Sequence, residues 1–340
     1  MSKAAELAAL IGSGQAQGDK NLIINGAMTV NQRNQTTTAT GYTVDRFHIG
    51  KANFGELVIA VTQDTDNPSG NGFANSLKLA ITTAESATAS DELLYYNTRF
   101  EGQNLQNLCY GTSSAKSLTL SFWVKSPLAG KHAVTFYQTT PDRSNLQSYT
   151  ISSADTWEFV TITIDGDASG NIANDKSAEL HLYWPLAGGS DYHGTPHTGW
   201  GAYSSADDFM FSDQVNLAGQ TGDFYITGVQ LEVGDVATPF EHESYAETLQ
   251  KCERYYNRIY NIWCDFAVYA NNGRMSRRVD FPTTMRANPS MTRNTVSTTN
   301  CDGVASNRTD IHGTHIYANS TGAVGDAFFI INNMEADAEL

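Results

Sequence analysis

Apolar and polar residues alternate along several segments in the first two thirds of the chain. In the segments 118–125, 160–164 and 180–184 every second residue is apolar. A period of two places successive side chains on opposite faces of a strand, so each segment is predicted to be a β-strand with one buried face. Turn-forming clusters at 64–72 and 165–170 separate such segments. Many strands with almost no helical periodicity predict a mainly β fold, a two-sheet jelly-roll sandwich.

The flanking segments have different patterns. Ser244 followed by Glu247 is typical of a capping box that begins a helix. Apolar residues at helical spacing within residues 2–11, followed by a Gly-rich stretch, predict a short helix on a flexible tether, with a frayed terminus as the alternative. We therefore predict an N-terminal docking or oligomerisation segment (1–20), the jelly-roll sandwich (21–243), a connecting helix (244–257) and a smaller C-terminal β domain (258–340).

Composition narrows the range of partners. The chain has 21 basic and 36 acidic side chains and a formal net charge of −15. Nucleic acid is not expected as a partner, because binding phosphates requires clustered Lys and Arg. The sequence has neither an apolar run long enough to span a bilayer nor a secretory signal, so synthesis in a cytoplasm without membrane insertion is expected. Widely spaced cysteines favour buried free thiols over a metal site or disulfides: Cys109, Cys252, Cys264 and Cys301.

Several motifs resemble those of a known family. They are NLIINGAMTVNQR at 21–33, YTVDR at 42–46, LTLSFWVKS at 118–126, FYITGVQLEVGDVATPFE at 224–241, CERYY at 252–256 and FPTTMRANP at 281–289. Together they resemble tail-fibre and other virion structural proteins of tailed, often marine, bacteriophages. The SFWVK and FYITGVQLE segments also resemble strands of carbohydrate-binding jelly rolls that accompany bacterial glycoside hydrolases.

This resemblance implies a function. It implies a homotrimeric tail fibre or baseplate-attached protein that is located in the virion and is made in the host cytoplasm. Its partners would be other copies of itself, tail or baseplate proteins at the N-terminus, and a host cell-surface glycan. Two alternatives remain open: a non-catalytic carbohydrate-binding module or decorating protein, and a polysaccharide depolymerase. A depolymerase needs two carboxylates across a cleft, and no pair is evident from the sequence, so no catalytic residue and no enzyme activity are predicted.

Two groups of side chains are candidates for ligand contacts. Aromatic residues in and near a Gly-rich loop could stack on sugar rings, although Trp184 and Trp200 could instead close the ends of the sandwich. Three arginines within five residues could meet an anionic glycan or a neighbouring subunit, or could form a solvated strand face. The candidates are Trp184, Tyr192, His193, Trp200 and Tyr203 for the glycan, and Arg274, Arg277 and Arg278 for the basic surface.

The resemblance to carbohydrate-binding jelly rolls also implies a structural calcium ion as the one candidate cofactor. Two turn-like loops offer the hard oxygen ligands that calcium prefers. Neither loop has the spacing of an EF-hand, and a solvated acidic loop is the alternative for each. The candidate ligands are Asp64, Asp66, Asp165 and Asp167.

Overall fold

The computed structural model describes residues 20–268, 273–322 and 325–340, and these divide into two compact units. The first unit comprises residues 20–244 together with Leu340, and the second comprises residues 245–339. The division falls directly after Ser244, so the predicted connecting helix belongs to the second unit. The predicted N-terminal helix lies outside the described residues.

The first unit is a sandwich of two antiparallel sheets. Every ladder in it is antiparallel. The seven-stranded sheet has the order β1 (Gly41–Tyr42), β2 (His48–Ala52), β5 (Leu93–Glu101), β10 (Ala178–Gly188), β7 (Gly130–Gln138), β8 (Arg143–Ile151) and β11 (Gly201–Ala202). The five-stranded sheet has the order β3 (Val58–Asp64), β4 (Ser76–Thr83), β12 (Gly222–Val233), β6 (Leu118–Lys125) and β9 (Glu158–Ile164).

The core of the sandwich lies between the two sheets and is formed by the alternating apolar residues. On β6, Leu120, Phe122 and Val124 are completely buried. On β10, Leu180 and Leu182 point into the same core. Burial of one face of each strand is the main favourable contribution to the free energy of folding of such a sandwich, because each large apolar side chain contributes about 1.5–3 kcal/mol. The predicted mainly β jelly roll is confirmed.

Short helices occupy the connections of the first unit. Among the described residues there are five, and three of them lie in the long segment between β10 and β12 that also carries β11. They are α1 (Ser205–Asp208) and the 3₁₀ turns Gly102–Asn104, Gln106–Leu108, Ser190–Tyr192 and Leu217–Gly219.

The second unit begins with a helix and continues as two small sheets. Helix α2 (Tyr245–Glu253) starts directly after Ser244 but ends earlier than predicted, because Tyr256 and Asn257 already belong to the next strand. Its sheets have the orders β13 (Tyr256–Val268), β18 (Gly325–Asp337), β15 (Ser290–Thr299) and β14 (Arg274–Asp280), β17 (Gly313–Ser320), β16 (Cys301–Asp310).

A separate core holds this second unit together. Ile316, Phe329 and Ile331 are completely buried in it, and Cys264 and Cys301 contribute to the same cluster. All four cysteines are free thiols; Cys252, Cys264 and Cys301 are buried, as predicted, whereas Cys109 is only half-buried. No helix among the described residues is long and apolar enough to cross a membrane.

Candidate functional site

The outer face of the seven-stranded sheet carries tyrosine, histidine, asparagine and arginine side chains. Because Leu180 and Leu182 of β10 point into the core, the alternate residues His181 and Tyr183 point outward. The register brings strands β2, β5, β10 and β7 side by side at this point. Asn97 pairs with His48 on one side and Tyr183 on the other, and Arg99 pairs with His181, which pairs with Tyr137.

Four tyrosine rings lie along this surface. The ring centroids of Tyr95 and Tyr183 are 5.2 Å apart, and those of Tyr137 and Tyr183 are 6.3 Å apart. Tyr203, which follows β11, lies 4.6 Å from Tyr137. All four side chains are half-buried, so part of each ring remains open to solvent. We call these four tyrosines together with Asn97, Arg99 and His181 the tyrosine face.

Several polar atoms of the tyrosine face have no hydrogen-bond partner among the described residues. Asn97 is 0% exposed, and neither its Oδ1 nor its Nδ2 has a well-aligned hydrogen-bond partner; the polar side chains nearest to its carboxamide are His48 and Tyr183. His181 Nδ1 is 2.9 Å from the hydroxyl of Tyr183, but its Nε2 is buried without a partner. Arg99 donates through Nη1 to the carbonyl oxygen of Leu340, while its Nε is also unpaired. Each buried polar group left in this state costs about 1–3 kcal/mol, so the face is prepared for hydrogen-bonding groups from outside.

Burial also decides the charge of this surface. Burial and the nearby charge of Arg99 lower the pKa of His181 to about 3. Burial, followed by the charge of Arg99, also lowers the pKa of His48 to about 4. Burial raises the pKa of Tyr95 above its usual value. Near pH 7 the imidazoles and phenols are therefore neutral, and Arg99 is positively charged.

A long segment borders one end of the tyrosine face. The ring of Phe209, just after α1, lies 5.1 Å from Tyr183 and 5.7 Å from Tyr95. Its carbonyl oxygen accepts a hydrogen bond of 2.6 Å from Thr135 Oγ1 on β7. Tyr192 packs on the other side of Phe209 at 6.2 Å. The segment is thus attached to the sheet and gives the face a wall.

The conformation of this segment depends on a buried carboxylate. Asp208 is 2% exposed and accepts a hydrogen bond of 2.8 Å from the backbone N–H of Ser204, at the start of α1. Its Oδ1 lies 2.8 Å from Nδ1 of His197, whose Nε2 lies 2.9 Å from the carbonyl oxygen of Ser144. Asp207 accepts from Thr195 N and Ser204 Oγ. These carboxylates hold the loop in place.

The predicted glycan residues are separated by the structure. Trp184 is 0% exposed in the sandwich core, so its ring cannot stack on a ligand and that prediction is wrong. The alternative gave it a packing role at an end of the sandwich, and its ring packs within the core, 5.9 Å from that of Phe122. Trp200 packs edge-to-face on Tyr110 at 5.7 Å and donates through Nε1 to the carbonyl oxygen of Asp165 at 2.8 Å. It also packs against the core cluster, as the alternative for this residue predicts.

The remaining three predicted residues lie in the segment that borders the tyrosine face. Tyr203 belongs to the face itself, and Tyr192 contacts its wall through Phe209. His193 is half-buried next to Tyr192. The structure therefore brings together Tyr192 and Tyr203 but not the two tryptophans.

Residues on β5 and β10 were missed by the sequence analysis. Tyr95, Asn97 and Arg99 occupy every second position of β5, between Leu94, Tyr96 and Phe100 of the core. An aromatic, an amide and a cation on the outward side of a strand are a detectable signal. What the sequence alone does not show is that His181, Tyr183 and Tyr137 are their neighbours.

The predicted calcium ligands are not gathered into a metal site. Asp66 accepts a hydrogen bond of 2.9 Å from Trp157 Nε1 and forms an ion pair with Lys125. Asp167 is 2% exposed and binds Arg143 through Nε at 2.5 Å and Nη2 at 3.1 Å. The positive charges that balance these carboxylates are thus side chains of the chain itself.

The other two predicted ligands are no closer to forming a site. Asp64 Oδ2 lies 4.0 Å from Lys78 Nζ, and Asp165 is exposed. Among the described residues, no three His, Cys, Asp or Glu side chains are close enough to hold a metal ion. The calcium prediction therefore finds no support in the geometry of either loop.

The three arginines of β14 do not form one basic surface. A period of two places Arg274 and Arg278 on one face of the strand and Arg277 on the opposite face. Each also contacts a neighbouring group. The ring of Tyr317 lies 3.7 Å from Arg274, the carbonyl oxygen of Trp263 accepts from Arg277, and Asp280 and Asp310 lie 2.7 Å and 3.6 Å from Arg278.

Comparisons with known proteins show similarity in structure only. No protein-family model matches the chain, and no curated protein matches its sequence. Among solved structures, the enzymatically active domain of bacteriophage CBA120 tailspike protein 4 has a TM-score of 0.37 at 11% identity, over 63% of this chain and 21% of that one. This chain thus spans about a fifth of the tailspike domain's length.

Two further similar structures are a carbohydrate-binding module and a putative sugar binding protein. The family 11 carbohydrate-binding module of a Clostridium thermocellum cellulase has a TM-score of 0.30 at 13% identity, over 62% of this chain and 98% of the module. A putative sugar binding protein from Bacteroides thetaiotaomicron has a TM-score of 0.33 at 14% identity, over 63% of this chain and 99% of that one. These identities and TM-scores are too low to transfer a function.

Proposed function

We propose that this protein binds glycans without cleaving them, and that the tyrosine face holds the saccharide. The observation that carries this proposal is the carboxamide of Asn97, which is fully buried between His48 and Tyr183 without a well-aligned hydrogen bond to either. Ligand sites combine aromatic walls with a few polar groups that fix orientation. The tyrosine face has both parts.

A pyranose ring is chemically matched to this surface. Its C–H groups can stack on the exposed parts of the Tyr137 and Tyr203 rings, while its hydroxyl groups both donate and accept hydrogen bonds. Asn97 offers a donor and an acceptor, His181 Nε2 one further polar atom, and Arg99 Nε a charged donor. Satisfying these buried groups recovers part of the free energy lost on folding.

We further propose a biological setting in which this binding attaches a phage to its host. The chain would be a homotrimeric tail fibre or baseplate-attached virion protein, made in the host cytoplasm and joined to other tail proteins through its N-terminal segment. The support is the resemblance of the segments 21–33, 118–126 and 224–241 to phage virion proteins. Because of the net charge of −15, nucleic acid is not proposed as a partner.

A binding role rather than a depolymerase role is favoured by the acids of the loop beside the tyrosine face. A glycosidase requires two carboxyl groups about 5–10 Å apart on either side of the scissile bond. Asp208 is buried against His197, and Asp207 accepts hydrogen bonds from Thr195 and Ser204, so both carboxylates are engaged in holding the loop.

The binding proposal is tested with variants of the tyrosine face. Tyr137→Ala combined with Tyr203→Ala is expected to weaken binding to a host-surface polysaccharide at least 10-fold, measured by calorimetry on correctly folded protein. Tyr260→Ala is the matched control, because this tyrosine is 57% exposed in the second unit and outside the face. Unchanged affinity of the double variant would show that the glycan is held elsewhere.

The virion proposal needs its own measurements. Excess purified protein is expected to block adsorption of the phage to host cells, and antibodies against it are expected to label the tail. Light scattering is expected to give a molecular mass three times that of the 37.0 kDa chain, as for a homotrimer. A monomer that leaves adsorption unchanged and whose antibodies do not label virions would contradict the virion role while leaving glycan binding intact.

A further inference from the structure

A cleft of about 500 Å³ opens on the outer face of the five-stranded sheet, which is the opposite side of the sandwich from the tyrosine face. Its size falls within the range of about 300–1,000 Å³ that is usual for small-ligand sites. None of the residues predicted from the sequence to bind a ligand lines it. The lining consists of Asn71, Phe73, Ser121, Trp123, Phe159, Gly228, Ala237, Thr238, Pro239, Phe240 and His242.

One wall of the cleft is an aromatic ledge on β6 and β9. Because Phe122 and Val124 point into the core, Ser121 and Trp123 point outward. Trp123 pairs in register with Phe159 of β9, and their ring centroids are 5.3 Å apart at an interplanar angle of 48°. Phe159 is 51% exposed although it is a large apolar side chain. The ledge therefore presents ring surface to solvent.

The opposite wall depends on a glycine in β12. The pairing of β12 with β6 shifts register between Thr227 and Gln230, and Gly228 within this bulge has φ +61°. A Cβ atom at Gly228 would lie 2.6 Å from the ring of Phe73, so the glycine lets this ring rest on the strand backbone. Phe73 in turn packs on Phe240 at 4.9 Å and on His242 at 5.3 Å.

The lining of the cleft is mainly apolar, and its polar side chains are those of Asn71, Ser121, Thr238 and His242. The residues that line it include no Lys, Arg, Asp or Glu. The nearby ammonium of Lys20 donates to the carbonyl oxygen of Pro239 at 2.8 Å and lies 3.7 Å from a carboxylate oxygen of Glu232, which balances its charge. Among the described residues, neither the hydroxyl of Ser121 nor the imidazole of His242 has a hydrogen-bond partner, so both can bond to a ligand. A chain with a net charge of −15 repels acidic polymers wherever no local cation compensates.

We infer that this cleft is a second saccharide site, specific for uncharged sugars and independent of the tyrosine face. The ring of one pyranose would stack on Trp123 and Phe159, and its hydroxyls would meet Ser121 and His242. Aromatic surface together with unpartnered hydroxyl and imidazole groups matches a sugar better than a purely apolar molecule. The absence of charged groups in the lining excludes the tight charge pairing that an acidic sugar needs.

The test uses calorimetry with two sets of tetrasaccharides of known composition. The first set contains uncharged glucose, galactose or mannose units, and the second contains galacturonic acid. Phe159→Ala is the main variant, since a half-exposed side chain can be removed without opening the core. Trp123→Ala is the second variant, and Tyr260→Ala is the exposed aromatic control. Each variant is made alone and in combination with Tyr137→Ala, so that binding at the cleft can be distinguished from binding at the tyrosine face.

The expected result is binding of an uncharged tetrasaccharide that persists in Tyr137→Ala and weakens at least 10-fold when Phe159→Ala or Trp123→Ala is added. The galacturonate set is expected not to bind in the Tyr137→Ala background. The inference is overturned if no uncharged tetrasaccharide binds to the Tyr137→Ala protein. It is also overturned if Phe159→Ala and Trp123→Ala both bind the uncharged tetrasaccharide with the same affinity as the Tyr260→Ala control. Glycan binding that is retained in Phe159→Ala alone and lost in Tyr137→Ala would support the proposed function without the second site.

Discussion

At the scale of single residues, the difference between a core position and a binding position is decided by which way one side chain points. Trp184 and Tyr183 are neighbours in the chain, yet the first is 0% exposed in the core and the second lies on the tyrosine face. Both are aromatic, and only the direction of each Cβ separates their roles.

Trp184 gives a direct test of this assignment. Trp184→Ala is expected to lower the free energy of unfolding by about 3–5 kcal/mol, because it leaves a large cavity in a close-packed core. Trp184→Phe is expected to cost less, since the indole Nε1 has no hydrogen-bond partner to lose. Urea unfolding measures both variants. A specific loss of glycan affinity in stable, folded Trp184→Phe would instead place this residue in a binding site.

Buried histidines predict how stability depends on pH. Burial lowers the pKa of His132 to about 4; the ring is 1% exposed and stacks on Tyr149 at 5.3 Å. Below the usual histidine pKa of about 6.5 the unfolded chain takes up a proton that the folded protein refuses. Stability is therefore complete above pH 6.5 and falls as the pH drops toward 4, by up to about 1.4 kcal/mol per pH unit for each such histidine.

The measurement is urea unfolding at pH 7.5, 5.5 and 4.5 for the wild type and His132→Phe. The variant keeps a ring against Tyr149 but cannot titrate, so its stability is expected to fall less steeply over this range. His48 and His181, whose pKa values are also lowered, remain in both proteins. Equal slopes in the two proteins would mean that His132 takes up its proton as readily when folded as when unfolded.

At the scale of elements, the bulge of β12 connects a local glycine to the second cleft. Gly228→Ala adds a Cβ that meets the Phe73 ring and places a non-glycine residue at φ +61°. We expect a loss of stability of about 1–3 kcal/mol. We also expect weaker binding of uncharged sugars, because Phe73 forms a wall of the cleft.

A second glycine provides the control for this effect. Gly219 has open space around its Cβ position and an ordinary φ, so Gly219→Ala is expected to change neither stability nor binding by a comparable amount. Thermal unfolding and calorimetry are the measurements. A Gly228→Ala protein as stable as Gly219→Ala would show that the bulge relaxes to accept the side chain.

The turn that follows β9 is held by the ion pair between Asp167 and Arg143. Asp167→Ala leaves Arg143 unpaired and is expected to cost about 3–5 kcal/mol, as for other buried pairs that lose one partner. Addition of a calcium chelator to the wild type is expected to leave the melting temperature unchanged. A fall of several degrees on chelation would restore the calcium hypothesis for one of the two acidic loops.

At the scale of the whole molecule, the chain consists of two units with separate cores. The sandwich core and the core of the second unit share no residue, and among the described strands no ladder joins the two units. Each set of sheets can therefore be stabilised by its own buried surface.

A fragment of residues 20–244 is consequently expected to fold and to keep both proposed saccharide sites, although it lacks Leu340, whose carbonyl oxygen accepts a hydrogen bond from Arg99 in the full chain. Circular dichroism and calorimetry on this fragment test the expectation, with the full chain as the reference. Binding that is lost in a folded fragment would show that residues outside 20–244 complete a site.

Much of the fold could be predicted from the sequence because strand periodicity is a local property of the backbone. Alternation on β6 and β10 correctly identified the buried face of each strand, and the capping signal at Ser244 marked the start of α2. The early end of α2 was missed, because the aromatic residues 255–256 fit a helix pattern as well as a strand pattern.

The candidate sites depend on pairing between distant strands. Tyr95, Tyr183 and Tyr137 meet only because β5, β10 and β7 are adjacent in the sheet, and Phe73 reaches Gly228 across a large sequence separation. By itself the sequence determined the strands, their inner faces and the acidic charge, since each follows from neighbouring residues. The tertiary structure alone decided which outward side chains share a surface, because strand order is set by the burial of the whole core rather than by any local pattern.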